Sequence, residues 1–164
     1  MIDDVITESS PGSDLFPEYD TLYDLISNEV VGLSDQQLDF RSEQWSWADW
    51  SIRVQLSHMA SLIYRWVVIR WGDTLFPDGS HGIDNLDLIA NSDFDRRMDD
   101  NVYHDVSDIL KKLEEGIDLV QRILSERNVG FLRSHTLVQD QSPQWALMIK
   151  AHPTGITPCR EPDK

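Results

Sequence analysis

Three separated stretches of this chain place apolar side chains three and four residues apart, and that spacing constrains the fold more than any other feature. A 3.6-residue period puts apolar groups on one side of a helix, whereas a strand would need strict alternation. In the first stretch Tyr19, Leu22, Tyr23, Ile26 and Val30 share a face, on a helix expected to begin near Pro17 and to stop at Gly32. Ser34 and Gln37 then form a capping-box pattern for a short helix carrying Leu38 and Phe40. The second stretch runs from Ser51, a good N-cap, to Trp71, with Gly72 as its stop. Two apolar stripes can be drawn on it, one through Leu56, Met59, Ala60, Ile63 and Val67, the other through His58, Leu62, Trp66 and Ile69. That division leaves Arg53, Ser57 and Ser61 for the solvent face. The third stretch, capped by Asp105 or Ser107, carries Val106, Leu110, Leu113, Ile117, Val120 and Leu124 along one side. Asp108 with Lys112, and Asp118 with Arg122, add acid-before-base pairs one turn apart.

Between the second and third helices lies a long acidic segment, Asp73 to about Tyr103, which reads as a crossover. It opens with the turn signal Pro77-Asp78-Gly79 and holds a short helical piece around Leu86 to Ala90. After Asn128-Val129-Gly130 the helical pattern is lost, and Pro143, Pro153, Pro158 and Pro162 exclude a long fourth helix. The expected organisation is a flexible N-terminal arm at 1–14, one helical domain at 15–151 and an irregular Pro-rich tail at 152–164. A length of 164 residues with 40% hydrophobic content suits one core.

The 29 acidic and 14 basic side chains give a formal charge of -15, which repels a phosphate backbone and an anionic membrane surface. Nucleic acid and membrane are therefore excluded as partners, and the opening Met1-Ile2-Asp3-Asp4 is not a secretory signal. A cytoplasmic protein is expected, in keeping with the single cysteine, Cys159, which has no partner for an internal disulfide.

Chemistry enters through Trp50-Ser51-Ile52-Arg53-Val54-Gln55-Leu56-Ser57-His58-Met59-Ala60. A Trp-Ser pair opening the second helix, with a histidine eight residues after the Trp, resembles the signature of the DinB-like family. Tyr19-Asp20 in the opening helix, the Gly32-Leu33-Ser34 turn, the Trp71-Gly72-Asp73 exit and the acidic crossover before Asp105 extend the likeness over roughly Phe16 to Arg127. The resemblance implies an all-α, up-down-down-up four-helix bundle, here with its last helix missing or replaced by an irregular C-terminal segment. It also implies a divalent metal, zinc or nickel, held by three histidines, and for some relatives transfer of low-molecular-weight thiols. Only His58 carries over as a metal ligand. The family's other two ligands sit one turn apart on the fourth helix, and no His-x-x-x-His occurs in this chain. His81, His104, His135 and His152 stand singly, and the two that could swing in as replacements, His135 and His152, are 17 residues apart, a spacing with no regular geometry behind it.

Plainer readings stand beside these. A histidine on an apolar helix face is more often a hydrogen-bonded core residue than a ligand. Trp45, Trp47 and Trp50 seal a bundle end more readily than they stack bases in so acidic a chain. Asn91, Asp93 and Asp95 begin like a calcium loop, but Arg96 replaces the turn glycine and Val102 the closing glutamate. His104 beside Asp105 reads as polarity at a helix start. A three-helix remnant leaves apolar surface to be covered by the segment Phe131 to Ile156 or by a second subunit, unless the reading frame is altered near Gly155. Two functions are thus expected: a DinB-like metal protein, as an enzyme a thiol transferase or hydrolase, or a non-catalytic helical interaction or oligomerisation domain.

Overall fold

The computed structural model describes residues 5–44, 49–90 and 96–134, and every regular element among them is helical. α1 spans Tyr19–Val30, α2 Asp35–Leu38 and α3 Ile52–Tyr64, which runs on without a break as a π-helical stretch, Arg65–Arg70. Then come α4 at Gly72–Leu75, α5 at Leu86–Ala90, α6 at Val106–Glu126 and α7 at Val129–Ser134.

Local chemistry sets these limits. Gly32 follows α1 at φ +82°, a left-handed conformation that glycine adopts without a side-chain clash. The capping box forms as expected, with the Ser34 hydroxyl accepting from the Gln37 amide and the Gln37 side chain accepting from the Ser34 amide. Ser51 caps α3 by accepting from the Val54 N–H. In the π-helical turn the Trp71 amide bonds to the Trp66 carbonyl at 3.0 Å, five residues back.

α6 is the packing centre and takes α3 on one side and α1 on another. Its Gly116 permits the close approach of α3, because a Cβ there would lie 3.2 Å from Ile63 Cγ2 and 3.3 Å from Tyr64 Cε2. Tyr64 is fully buried and donates its hydroxyl to the Lys112 carbonyl at 2.8 Å, so its polar end is satisfied within the core. That burial pushes the phenol up well above its ordinary pKa. Leu56, Ala60, Val68, Ile109, Leu113 and Ile117 belong to the same buried core. The crossover adds Ile89, Ala90 and Met98 to the same core, so it is more than a tether. Gln121 fastens α1 to α6 by donating to the Tyr19 carbonyl at 2.8 Å.

The structure departs from the sequence reading at several places. Arg53, Ser57 and Ser61, assigned to the solvent face of α3, are only 8%, 2% and 0% exposed. Met59, Trp66 and Ile69, assigned to the apolar interior, are instead 38%, 41% and 52% exposed. The reason is that the inner polar groups find partners. Arg53 donates from Nε to Asp39 at 2.7 Å, from Nη2 to Asp35 at 2.6 Å and from Nη1 to the His104 carbonyl at 2.7 Å. Ser57 Oγ accepts from the Met98 N–H at 3.0 Å. Secondly, helical structure resumes after Asn128, whose side-chain oxygen accepts from the Phe131 N–H at 2.8 Å and so caps α7. Thirdly, Lys112 pairs with Glu115 in place of Asp108. The stretch expected to be a flexible arm is, over residues 8–12, hydrogen-bonded to the chain around the end of α6 and the start of α7: Gly12 to the Arg127 carbonyl, Val129 to Ser10 and Gly130 to Glu8. Trp45, Trp47, Asn91, Asp93, Asp95, His135, His152 and Cys159 lie outside the described residues.

The Arg53 hydrogen bond holds the Asp39 carboxyl below the ordinary aspartate range. A depressed carboxyl stabilises the fold above the unfolded-state pKa of about 3.9, and the contribution fades as pH falls through the lower folded value. Asp39 is half exposed, so Asp39→Asn should cost only about 1 kcal/mol at pH 7. In urea titrations the gap between variant and wild type should narrow as pH falls through the lowered folded-state value of Asp39.

Candidate functional site

Ser51 fixes where α3 begins, and therefore which way His58, two turns further on, points. The Gln55 side chain donates to the Trp50 carbonyl at 3.0 Å and holds the residue before the cap against the first turn of the helix. This brings the Trp50 ring edge-to-face with the His58 imidazole, centroids 4.9 Å apart at 74°. Both side chains are half-buried.

On the other side of the imidazole runs the end of the crossover. His58 Nδ1 lies 2.7 Å from the Arg96 carbonyl oxygen. A carbonyl only accepts, so Nδ1 carries the hydrogen, and the neutral ring keeps its lone pair on Nε2. Arg96 itself sits at φ +59°, a conformation that non-glycine residues adopt at a cost of about 1 kcal/mol. With the Met98 amide bonded to Ser57, residues 96–98 are stitched to α3 at two successive positions. His58 thus has a structural task, joining crossover to helix, and among the described residues no hydrogen bond engages its Nε2.

The other described histidines do not gather around it. His81 Nδ1 accepts from the Ile83 amide and its ring packs edge-on to Phe76 at 6.2 Å. His104 is exposed, and its carbonyl receives Arg53. Among the described residues no three His, Cys, Asp or Glu side chains lie close enough to hold one metal ion. His58 is therefore a single donor, and a complete metal site is not formed by the described part of the chain.

Sequence reasoning missed Arg53 and Ser57, the polar side chains that orient α3. A signal was present: Asp35 and Asp39 stand one turn apart on the capping-box helix, where two carboxylates share a face and can receive a guanidinium. Nor does any helix of the described residues have the length and apolarity to cross a membrane. Neither protein-family models, nor curated proteins, nor solved structures provide a match to this chain.

The tautomer is open to direct measurement. Ring-nitrogen NMR of the protein with a neutral His58 ring should place the hydrogen on Nδ1. In a Ser57→Ala variant, which loosens the crossover by removing the Met98 bond, the ring should shift toward the mixture of tautomers seen in free imidazole. A hydrogen found on Nε2 in the wild type would reject the bond to Arg96.

Proposed function

We propose that this chain is a DinB-like helical domain in which His58 is the metal-directed histidine of the second long helix. The observation that carries the reading is the bond from Nδ1 to the Arg96 carbonyl, which leaves Nε2 unprotonated in the neutral ring. Backbone carbonyls commonly hold ligand histidines in this way, fixing both tautomer and ring angle. The Trp50-Ser51 opening of α3 and the eight-residue step to His58 supply the family resemblance. On this reading the protein is cytoplasmic, the metal is zinc or nickel, and an active form transfers or hydrolyses a low-molecular-weight thiol compound. The described residues provide one donor toward such a metal.

A second reading, a non-catalytic interaction or oligomerisation domain, is favoured by a different observation. Ile52, Met59, Trp66 and Ile69 stand 37%, 38%, 41% and 52% exposed along one side of α3 and its π-helical extension. So long an apolar stripe is uncommon on the surface of a soluble monomer.

Equilibrium titration of the metal-stripped protein with zinc and with nickel separates the two. The metal reading predicts near-stoichiometric binding, weakened at least tenfold in a His58→Ala variant that retains its helical circular dichroism. Binding that is absent, or unchanged in the variant, leaves His58 as the link between crossover and helix.

A further inference from the structure

The exposed stripe has the spacing of a coiled-coil seam. Ile52, Gln55, Met59, Leu62, Trp66 and Ile69 follow one another at alternating steps of three and four residues. Leu62 is half-buried and the other five are exposed. The stripe continues through the π-helical turn, where the Arg70 guanidinium lies over the Trp66 ring at 4.4 Å.

We propose that two copies of this chain pair through this stripe, with their α3 helices antiparallel about a two-fold axis that passes between Met59 and Leu62. The inference rests on the interaction reading of the stripe and is independent of metal binding at His58. Two features select a second copy as the occupant. First, the seam is complementary to itself when reversed: Ile52 meets Ile69, Met59 meets Leu62, and Gln55 meets Trp66. An antiparallel seam pairs its two kinds of position in this manner, and a two-fold contact of one patch with itself is the commonest closed assembly.

The second feature is charge. With a formal charge of -15 on each copy, most approaches between two copies are repulsive. From Trp50 to Gly72 the sequence contains no Asp or Glu, the longest such run in the chain, while Arg65 and Arg70 supply positive charge. This helix is where two such acidic molecules can come together with the least like-charge cost. The proposed register also brings Arg70 of one copy beside the start of α3 in the other, next to the exposed Asp49. A single pair of helices of this length lies at the small end of specific interfaces, so the dimer is a weak one.

Sedimentation velocity on the full-length, metal-stripped chain, from low to high micromolar concentration, tests this. The expected result is a monomer–dimer equilibrium whose dissociation constant rises at least tenfold in Met59→Glu and in Ile69→Glu, both with wild-type melting temperatures because the positions are exposed. Arg70→Glu should weaken the dimer, and combining it with Asp49→Lys should restore part of the loss, which a parallel pairing would not produce. A monomer at every concentration overturns the proposal together with an oligomerisation role for the stripe. A dimer indifferent to Met59→Glu and Ile69→Glu overturns the proposal alone, since the molecule would then associate through another surface.

Discussion

One buried guanidinium sets the geometry of this molecule. Arg53 makes four hydrogen bonds, two to Asp39, one to Asp35 and one to the His104 carbonyl, and so ties α3 to α2 and to the start of α6. A buried charge without such partners would be expensive, and the planar fork of arginine matches carboxylates held one turn apart. Both carboxylates retain contact with water, Asp35 at 88% and Asp39 at 51% side-chain exposure, which lowers the desolvation cost of the cluster.

Everything on α3 follows from that anchor. With Arg53 turned inward, Ser57 and Ser61 follow it one and two turns on, and Ser57 receives the Met98 amide. Leu56, Ala60 and Tyr64 then join the buried core with α6, where Gly116 leaves room for Ile63 and Tyr64. The opposite side of the helix keeps Ile52, Met59, Trp66 and Ile69 in solvent, and the flank between carries His58 to the crossover. Seam and histidine are thus consequences of the same rotation.

Much of this was legible in the sequence. The three long periodic segments, the capping box at Ser34, the Ser51 cap and the short helix at Leu86–Ala90 all follow from local rules of period and cap chemistry, which need no knowledge of distant residues. The rotation of α3 was not legible in the same way. Hydropathy assigns arginine and serine to solvent, whereas their burial depends on Asp35, Asp39, His104 and Met98, partners from 14 to 51 residues away in the chain. α7 was missed because Gly130 weakened the helical pattern, while its Asn128 cap went unweighed. For His58, spacing indicated a position on the helix but could not reveal that Arg96 would fix its ring.

The rotational setting of α3 is the central claim, and thiol accessibility tests it most directly. Single cysteines would replace Ser57, Ser61, Met59 and Ile69 in a Cys159→Ser background, and native-state labelling with a maleimide would be timed at protein concentrations low enough to keep the chain monomeric. Rapid labelling at 59 and 69, with protection at 57 and 61 until denaturant is added, is the predicted result. Rapid labelling at 57 and 61 with protection at 59 and 69 would turn the helix over and contradict the account.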